Sequence, residues 1–448
     1  MTTIAPHRPL IGPPQRHPFE HALRFGYDPL CFLEELDAFG ELPFFRFGRR
    51  GAVLVNTPEA VQQVLVTDAA RFRKGLFSQD AKRFFLGDGL LVSSGAFHRS
   101  QRRRMTPSFS RKRVPDYAAA MVNEARSLSE SWQSGMVIDV ERTMMRLTLA
   151  IAGDTLLGVD LRPRADRIGV SLADVTNLTY RIGNPMQFPL GPLPLHSNWR
   201  FTRGYHRLHW AVWRIVRERL AKGEADDLLS LLLHGKDDEG QTLTLKQVQD
   251  EVMTLLLAAH DTTAAALAWT WHLLAQHPEA EARLHDEVDS VLGDGPVSAE
   301  RLPRLPYTRA VLSESMRIYP PVYLTDREAL EDVPVGGAII PKKTQLIVSA
   351  YAVQRSERWW PEPLAFKPER WLPGDAAYAE RPKYAYFPFG GGPRVCIGEH
   401  FAWMEIMLAL ATLARQWRLE RVPERPVTIH PRITLSTERG MWMRVKRR

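Results

Sequence analysis

The sequence predicts a mainly α protein with a minor β region. Apolar residues recur at helical spacing through 114–157 and 166–181, as on the buried stripe of an amphipathic helix. A capping box at Thr244–Gln247 begins a further helical stretch that runs to about Gln276, roughly 48 Å at 1.5 Å per residue. The β region is indicated mainly by 335–353 and 433–445, which alternate and break in the manner of short strands.

The remaining elements are shorter and follow from the same periodicities. An N-terminal arm covers 1–25, and the mixed stretch 74–92 is interpreted as a loop. The C-terminal stretch 433–445 predicts a β-hairpin with its tip at 437–440. The other predicted elements are helices at Pro29–Phe39, Pro58–Val66, Pro278–Leu292 and Glu399–Ala414, a helix after Leu305, and a strand at Ala52–Asn56.

Length, cysteine content and the N-terminus narrow the class of protein. At 448 residues, the length alone predicts two or three domains. Two cysteines, Cys31 and Cys396, give no disulfide framework, which indicates a reducing compartment. Residues 1–18 lack the apolar core of a signal peptide or membrane anchor, and the longest apolar run elsewhere, 255–259, is far too short to span a bilayer. We expect a soluble, cytoplasmic protein.

The net charge of +8 has the sign that a nucleic-acid or acidic-protein partner requires. The basic residues are scattered, however, apart from Arg102–Arg104 and the 446–448 tail. No helix-turn-helix, zinc-finger or aromatic-basic pattern accompanies them. The charge therefore predicts a solvated surface, or docking of an acidic protein partner, and argues against nucleic-acid binding.

A glycine-rich segment at 389–398, Phe-Gly-Gly-Gly-Pro-Arg-Val-Cys-Ile-Gly, contains Cys396 just ahead of an apolar helix. Glycines let the backbone turn tightly and approach a flat ligand. Backbone N–H groups and a helix N-terminus near the sulfur favour the thiolate, which is the form that binds metals. An isolated cysteine in such a turn is more often a buried free thiol. The spacing Phe-x-x-Gly-x-Arg-x-Cys-x-Gly, however, resembles the haem-binding loop of the cytochrome P-450 family, and this resemblance implies an axial metal ligand.

Polar residues interrupt the apolar central helix at 258–263, Ala-Ala-His-Asp-Thr-Thr. Such residues are costly between apolar, buried flanks. A threonine can bond the carbonyl four residues back and loosen the helix. Beside the Asp261 carboxylate, Thr262 would become part of a proton route into a buried pocket. The alternative is a capped kink without chemistry.

Two further charged pairs occur at helical spacing. His98 and Arg102, four residues apart, present two cationic donors on one face, which suits a pair of carboxylates. Glu314 and Arg317, three residues apart, can form an ion pair. Either pair by itself is more often a surface contact.

Together these segments resemble the cytochrome P-450 family, from about residue 30 to the end, with five motifs in the family's order. The resemblance implies that Cys396 is the thiolate ligand of haem and that Asp261 and Thr262 supply protons to bound oxygen. It implies a structural ion-pair network of Glu314 and Arg317 with Arg370. The haem-binding residues implied by the resemblance are His98, Arg102, Ala258, Arg327, Phe389, Gly390, Arg394, Cys396 and Gly398.

Two residues depart from the family's pattern. Ala259 replaces the usual glycine, which should place a methyl group near the oxygen site. Lys343 replaces the glycine of a Pro-Lys-Gly-Thr turn, a change that we expect to alter only that turn.

The resemblance also implies the organisation and chemistry of the whole chain. A single haem domain over 1–448 overrides the expectation from length, as in soluble bacterial members, and a monomer is expected. Haem b would be the cofactor and O2 the co-substrate, with one oxygen atom inserted into a C–H or C=C bond. Because only 397–448 follows Cys396, no fused reductase is expected, and a ferredoxin or flavodoxin with its reductase would supply electrons.

The substrate is predicted only by class. Apolar segments around the expected pocket suit a terpenoid, carotenoid, fatty acid or polyketide, and the proline-rich stretch 183–197 is interpreted as a lid over its entrance. Two other functions stay open: a peroxide-driven or non-oxygenating haem-thiolate enzyme, and a haem-binding sensor without turnover. The predicted pocket residues are Phe77, Phe84, Phe85, Leu257, Val322, Leu324 and Thr437.

Overall fold

Helices dominate the computed structural model, which describes residues 8–182, 196–237, 239–375 and 380–448. The predicted fold class, mainly α with a minor β region, is confirmed. Residues 183–195 of the predicted lid lie outside the described residues. The α-helices are α1 (Glu20–Tyr27), α2 (Pro29–Asp37), α3 (Pro58–Gln62), α4 (Leu76–Ala81), α5 (Gly95–Met105), α6 (Ala118–Ser131), α7 (Val140–Ala152), α8 (Ala165–Ile182), α9 (His196–Lys222), α10 (Leu228–His234), α11 (Leu245–Ala258), α12 (Asp261–Leu274), α13 (Pro278–Leu292), α14 (Pro306–Ile318), α15 (Ala350–Gln354) and α16 (Glu399–Ala414).

The strands form small sheets. They are β1 (Phe44–Phe47), β2 (Arg50–Val55), β3 (Phe72–Lys74), β4 (Val137–Asp139), β5 (Thr325–Ala329), β6 (Val333–Val335), β7 (Ala338–Ile340), β8 (Gln345–Val348), β9 (Trp417–Arg421), β10 (Ile429–Pro431), β11 (Leu435–Thr437) and β12 (Trp442–Arg447). The largest sheet has the order β1-β2-β8-β5-β3, with β2 and β8 parallel and its other neighbouring strands antiparallel. A second sheet has the order β4-β12-β9.

The largest apolar core lies among the helices, and α12 and α16 run through it. Every residue from Thr263 to Leu274 is buried, and so is every residue of 405–414. A helix that is apolar on all sides is stable only when protein surrounds it. Smaller apolar clusters join the largest sheet to α1, α2 and α3. These cores fix the central helix and the loop that leads into α16, the two segments that carry the predicted site.

The central helix is divided into α11 and α12 at residues 259–260, so the prediction of one unbroken helix to Gln276 is wrong. The predicted capping box at Thr244–Gln247 does begin α11. At the break, Thr262 Oγ1 donates a hydrogen bond to the Ala258 carbonyl oxygen at 2.9 Å. A hydroxyl that occupies this carbonyl competes with the helical N–H groups and loosens the turn.

Pairing between distant strands overturns two predictions, one near the C-terminus and one within 114–157. Residues 433–445 do not form a hairpin with its tip at 437–440, because β11 pairs with β10 whereas β12 pairs with β4 and β9. In addition, β4 lies inside the stretch 114–157 that was expected to be helical throughout. Its partners, Trp442–Arg444, are far along the chain, so local periodicity carries no sign of this pairing.

Distant side chains also stabilise a helix where the sequence predicts the loop 74–92. The structure has α4 there, followed by a wide helical turn at Lys82–Leu86. The Leu76 N–H donates to Gln345 Oε1 at 2.9 Å, and the Ser78 N–H donates to Asp326 Oδ2 at 3.2 Å. Side chains of β8 and β5 therefore satisfy the first N–H groups of α4. Similarly, α1 begins within the predicted 1–25 arm.

The turn at Lys343 keeps a geometry that suits glycine. Lys343 has a φ of 68°, in the left-handed region that non-glycine residues seldom adopt. Its N–H donates to the Ala329 carbonyl oxygen at 2.8 Å, and the Thr344 N–H donates to the Pro341 carbonyl oxygen at 3.1 Å. These hydrogen bonds hold the lysine in the strained conformation.

One helical stretch of the described chain passes a length and composition test for a membrane span. It is Leu245–Leu274, which comprises α11 and α12, and 78% of its most apolar window is buried inside the protein. Such burial is typical of the core helix of a globular protein.

Candidate active site

The loop around Cys396 requires glycine at two positions. Gly390 and Gly392 have φ values of 72° and 64°, where a residue with a Cβ is strained. A Cβ on Gly392 would also lie 2.0 Å from the Leu65 carbonyl oxygen. The loop is closed by the Cys396 N–H, which donates to the Phe389 carbonyl oxygen at 2.9 Å. The glycines thus let this loop pack tightly against the protein.

Cys396 faces a space inside the protein. The residue is exposed, although protein surrounds its thiol. Burial raises the pKa of the Cys396 thiol to about 11, against the opposing effects of the Gly398 N–H hydrogen bond and the Arg102 charge. In the protein alone the sulfur is therefore protonated at neutral pH, and a metal cation bound to it would displace the proton.

Small and polar residues at the break of the central helix also have accessible surface. Ala258 is exposed, and Asp261 and Thr262 are half-buried. The flanking stretches 250–257 and 263–274 are buried. Accessible residues in the middle of a buried helix indicate that an internal cavity borders them.

A residue that sequence analysis missed holds the Asp261 carboxylate. Thr434 Oγ1 donates to Asp261 Oδ2 at 2.6 Å, and it lies 3.4 Å from Ser436 Oγ. Thr434 is 2% exposed, so water does not compete freely for this hydrogen bond. The two residues are 173 positions apart in the chain, and no spacing in the sequence could have linked them.

Basic side chains collect near the Cys396 loop, and we call them the cationic cluster. Its members are Lys74, His98, Arg102, Arg327 and Arg394. Sequence analysis missed Lys74, because only the pairing of β3 with β5 places it opposite Arg327. The Arg102 guanidinium donates to the Val395 carbonyl oxygen at 2.8 Å, and Arg394 donates to the Ser93 carbonyl oxygen at 2.7 Å.

Charges in the cationic cluster destabilise one another. Burial and the nearby Arg394 and Arg102 lower the pKa of His98 to about 4. Burial and Arg327 lower the pKa of Lys74 to about 7, and burial and Arg327 also lower the pKa of Arg394 to about 10. Arg394 Nη1 is buried without a hydrogen-bond partner. A group that carries two carboxylates would neutralise these charges and supply the missing acceptor.

The family model for cytochrome P450 matches residues 28–443. The chain belongs to the cytochrome P450 family. It is 39% identical over 439 residues to cyclooctatin synthase of Streptomyces melanosporofaciens, a match that covers 97% of this chain and 93% of that protein. It is 37% identical over 422 residues to cyclooctat-9-en-7-ol 5-monooxygenase of the same organism, covering 93% and 88%. It is 35% identical over 423 residues to pentalenene oxygenase of Streptomyces avermitilis, covering 92% and 93%.

A solved structure supports the same assignment. The crystal structure of the cytochrome P450DA heme domain superimposes with a TM-score of 0.86 at 26% identity, over 99% of this chain and 98% of that chain. The predicted family, fold and enzyme class are confirmed: this cytochrome P450 is a monooxygenase that uses haem b with a cysteine thiolate ligand and O2. The accessible thiol and the cationic cluster fit haem, whose two propionates carry the carboxylates that the cluster lacks.

Glu314 and Arg317 form an ion pair in the interior. Both side chains are 0% exposed, and Arg317 donates to the two Glu314 oxygens at 2.8 Å each. Arg370 Nε lies 3.2 Å from Glu314 Oε1, and the Trp371 indole N–H donates to Glu314 Oε2 at 2.9 Å. Arg317 also donates to the Gln354 carbonyl oxygen at 2.8 Å. The structure thus brings the three predicted residues together and joins α14 to the segments before the Cys396 loop.

The predicted substrate-pocket residues fall into a buried group and a group with accessible surface. Phe85, Leu257 and Thr437 are at most 4% exposed, and the Thr437 N–H donates to Glu141 at 3.1 Å. These three residues fill the core rather than an open pocket wall, a difference that apolar sequence patterns do not show. Phe77 is half-buried and stacks on a phenylalanine of α1, with 5.7 Å between the ring centroids. The remaining predicted residues, which keep accessible surface, are Phe84, Val322 and Leu324.

We predict that Glu314→Gln lowers the free energy of unfolding by about 3–5 kcal/mol, because it leaves Arg317 as a buried charge without its partner. Urea unfolding of the haem-loaded protein measures this loss. Glu41→Gln is the control, since Glu41 and its partner Arg8 are 47% and 60% exposed and such pairs contribute about 1 kcal/mol or less. Equal losses in the two variants would contradict a special role for the buried network.

Proposed function

We propose that this cytochrome P450 oxygenates a terpenoid, by inserting one oxygen atom into a C–H or C=C bond of its carbon skeleton. The observation that carries the proposal is the similarity, at 35–39% identity over more than nine-tenths of this chain, to enzymes named for cyclooctatin, cyclooctat-9-en-7-ol and pentalenene. The alternatives considered from the sequence, carotenoid, fatty acid and polyketide, have no comparable support among these relatives.

Within this proposal, Cys396 would hold the haem iron through its sulfur, and the cationic cluster would hold the haem propionates. When bound, haem b supplies the oxygen activation, which a thiolate ligand promotes by donating electron density. The Gly398 N–H donates to the sulfur and favours its anionic form. Lys74 and Arg327 approach from the sheet, whereas His98 and Arg102 approach from α5. Burial and repulsion from neighbouring arginines lower the pKa values of Lys74, His98 and Arg394. Two negatively charged propionates would relieve this repulsion, which supports the proposed role of the cluster.

We assign proton delivery to Asp261 and Thr262. Thr434 holds Asp261 Oδ2, so the carboxylate is kept in one orientation beside the helix break. Thr262 Oγ1 donates its proton to the Ala258 carbonyl oxygen, which leaves the hydroxyl oxygen able to accept a proton and pass one on. A general acid held in this way contributes about 10²–10⁴-fold to a rate.

Electron supply is proposed to come from a separate ferredoxin or flavodoxin at the basic surface of α5. Arg99 and Arg103 line an open cleft of about 530 Å³ together with Pro393, close to the Cys396 loop. Arg104, the third arginine of the sequence run, does not belong to this surface. It forms an ion pair with Asp237, and its side chain is 7% exposed.

We further propose that residues 1–448 form one haem domain that acts as a monomer in the cytoplasm. The family match over 28–443 supports a single domain. Cys31 and Cys396 are both free thiols, which is consistent with a reducing compartment.

The ligand assignment predicts that Cys396→Ala loses the strongly red-shifted Soret band of the dithionite-reduced carbon monoxide complex, because no thiolate remains to bind iron. Cys31→Ala is the matched control, since it removes the other cysteine, and it should keep the band. The absorption spectra of the purified proteins measure both. A thiolate band that survives in Cys396→Ala would overturn the assignment.

Proton delivery predicts that Thr262→Val lowers the rate of product formation on the order of 10²-fold, while NADH oxidation continues and releases peroxide. Thr262→Ser restores a hydroxyl at the same position and should recover most of the coupling. Product formed per NADH consumed is the measurement. An unchanged ratio in Thr262→Val would contradict the relay.

The substrate class predicts that polycyclic terpenoid hydrocarbons shift the haem iron from low to high spin at lower concentrations than fatty acids of equal carbon number. A rigid apolar skeleton loses little conformational freedom on binding, whereas a flexible chain loses much. Optical titration of the haem-loaded protein with both series gives the dissociation constants. Tighter binding of the fatty acids would contradict the proposed substrate.

For the electron donor, the double variant Arg99→Glu and Arg103→Glu should slow reduction by a ferredoxin about tenfold or more at low salt, because reversed charges repel an acidic partner. Arg203→Glu with Arg217→Glu on α9 is the control of equal charge. Stopped-flow reduction at two ionic strengths measures the rates. Reduction that is unaffected by the α5 changes would exclude this docking surface.

A further inference from the structure

The solvent-facing side of α9 carries a row of tryptophan and basic side chains. The chain has twelve tryptophans, and the three exposed ones, Trp199, Trp210 and Trp213, all lie in this helix at 59%, 49% and 43% exposure. Residues at intervals of three and four share one face of a helix. The members of this α9 row are Trp199, Arg203, His206, Trp210, Trp213, Arg217 and Leu220.

Arginines cover the rings of the three tryptophans. The guanidinium of Arg203 lies 5.1 Å from the Trp199 ring centroid, and that of Arg217 lies 4.7 Å from the Trp213 centroid. Arg214 lies 4.8 Å from the ring of Trp210 in the same way. Single exposed apolar residues are ordinary on a protein surface. Three tryptophan–arginine stacks along one helix face are typical of a protein surface that contacts the membrane–water interface. Amphipathic rings and arginine guanidinium groups both partition into that interface.

A basic cleft adjoins the α9 row. Its volume is about 470 Å³, it lies between α8 and α9, and four arginines line it. Glu218 accepts hydrogen bonds from Arg164 at 2.6 Å and from Arg214 at 3.2 Å. Among the described residues, no carboxylate pairs with Arg167 or Arg207. Two guanidinium groups are therefore available to an anion, and their planar donors suit a phosphate group.

We propose that the α9 row and the α8–α9 cleft bind the surface of a membrane that contains anionic phospholipids. Lipid phosphates occupy the cleft at Arg167 and Arg207, and the three tryptophan rings lie at the level of the head groups. The contact is peripheral and needs no membrane-spanning segment. It does not rest on the proposed terpenoid substrate, because only the exposed residues of α8 and α9 carry it.

Two other occupants fit the surface less well. A second copy of the chain would bring two rows of arginine against each other, and like charges across an interface are strongly unfavourable. Single-stranded nucleic acid binds through bases stacked on open aromatic faces, whereas arginines already cover these rings.

Flotation of the haem-loaded protein with vesicles tests the proposal. The probes are vesicles of phosphatidylcholine alone and of phosphatidylcholine mixed with phosphatidylglycerol, each at low and high salt. The protein is expected to float with the anionic vesicles at low salt and to be released by high salt, since screening weakens the contact. Absence from the anionic vesicles, or equal binding to the neutral ones, would overturn the proposal.

Variants of the exposed residues locate the contact. Arg203→Gln with Arg217→Gln should weaken vesicle binding on the order of 30-fold, because each cation near an anionic surface contributes about 1 kcal/mol. Exchange of the three tryptophans for serine should also release the protein. Arg99→Gln with Arg103→Gln on α5 is the control of equal charge and should bind like the parent protein. The carbon monoxide spectrum of every variant verifies that it is folded and loaded with haem.

Three results would contradict the location or the partner. Equal loss of binding in the α5 control would show a general effect of charge rather than a contact at α9. Sedimentation that shows a dimer, lost with the tryptophan exchanges, would assign the row to a second copy of the chain. Tighter binding to single-stranded DNA than to anionic vesicles, lost in the same variants, would assign it to nucleic acid.

Discussion

The active site is organised by positive charge that the protein alone does not balance. Lys74, His98 and Arg394 have pKa values lowered by burial and by neighbouring arginines, and an Arg394 nitrogen lacks an acceptor. Such an arrangement persists only because a strongly bound anionic group offsets it. We propose that the two haem propionates meet this need and that the Cys396 sulfur binds the haem iron. Cofactor binding and the stability of the folded core are therefore linked in this cytochrome P450.

The framework around this cluster resists the repulsion. The Glu314–Arg317 pair is fully buried, receives Arg370, and connects α14 with the segments that precede the Cys396 loop. A buried pair of this kind adds little to the free energy of unfolding relative to an apolar core. Loss of one partner, however, is strongly destabilising, because the other charge is left buried and unpaired. We infer that the pair contributes by specifying one arrangement of the surrounding chain. The cysteine loop is thus supported from behind by residues that take no part in the chemistry.

The break in the central helix combines structure with chemistry. The hydroxyl of Thr262 occupies the Ala258 carbonyl, so the same contact that interrupts the helix also places an exchangeable proton beside Asp261. Thr434 then fixes the carboxylate from another part of the chain. On its exposed face, α9 combines tryptophans with arginines, and the proposed membrane contact would bring the enzyme to the lipid phase in which apolar molecules collect.

The sequence by itself determined the helical class, the cysteine loop and the polar residues within the apolar central helix, because glycine conformations, helical periodicity and capping act over a few neighbouring residues. It also indicated that Glu314 and Arg317 share a helix face. Tertiary structure alone decided the rest. Thr434 reaches Asp261 and Lys74 faces Arg327 through contacts between distant segments, and strand pairing divides the C-terminal residues between two sheets. Whether an apolar residue such as Leu257 fills a core or lines a pocket depends on what packs against it, and that partner is set by the fold of the whole chain.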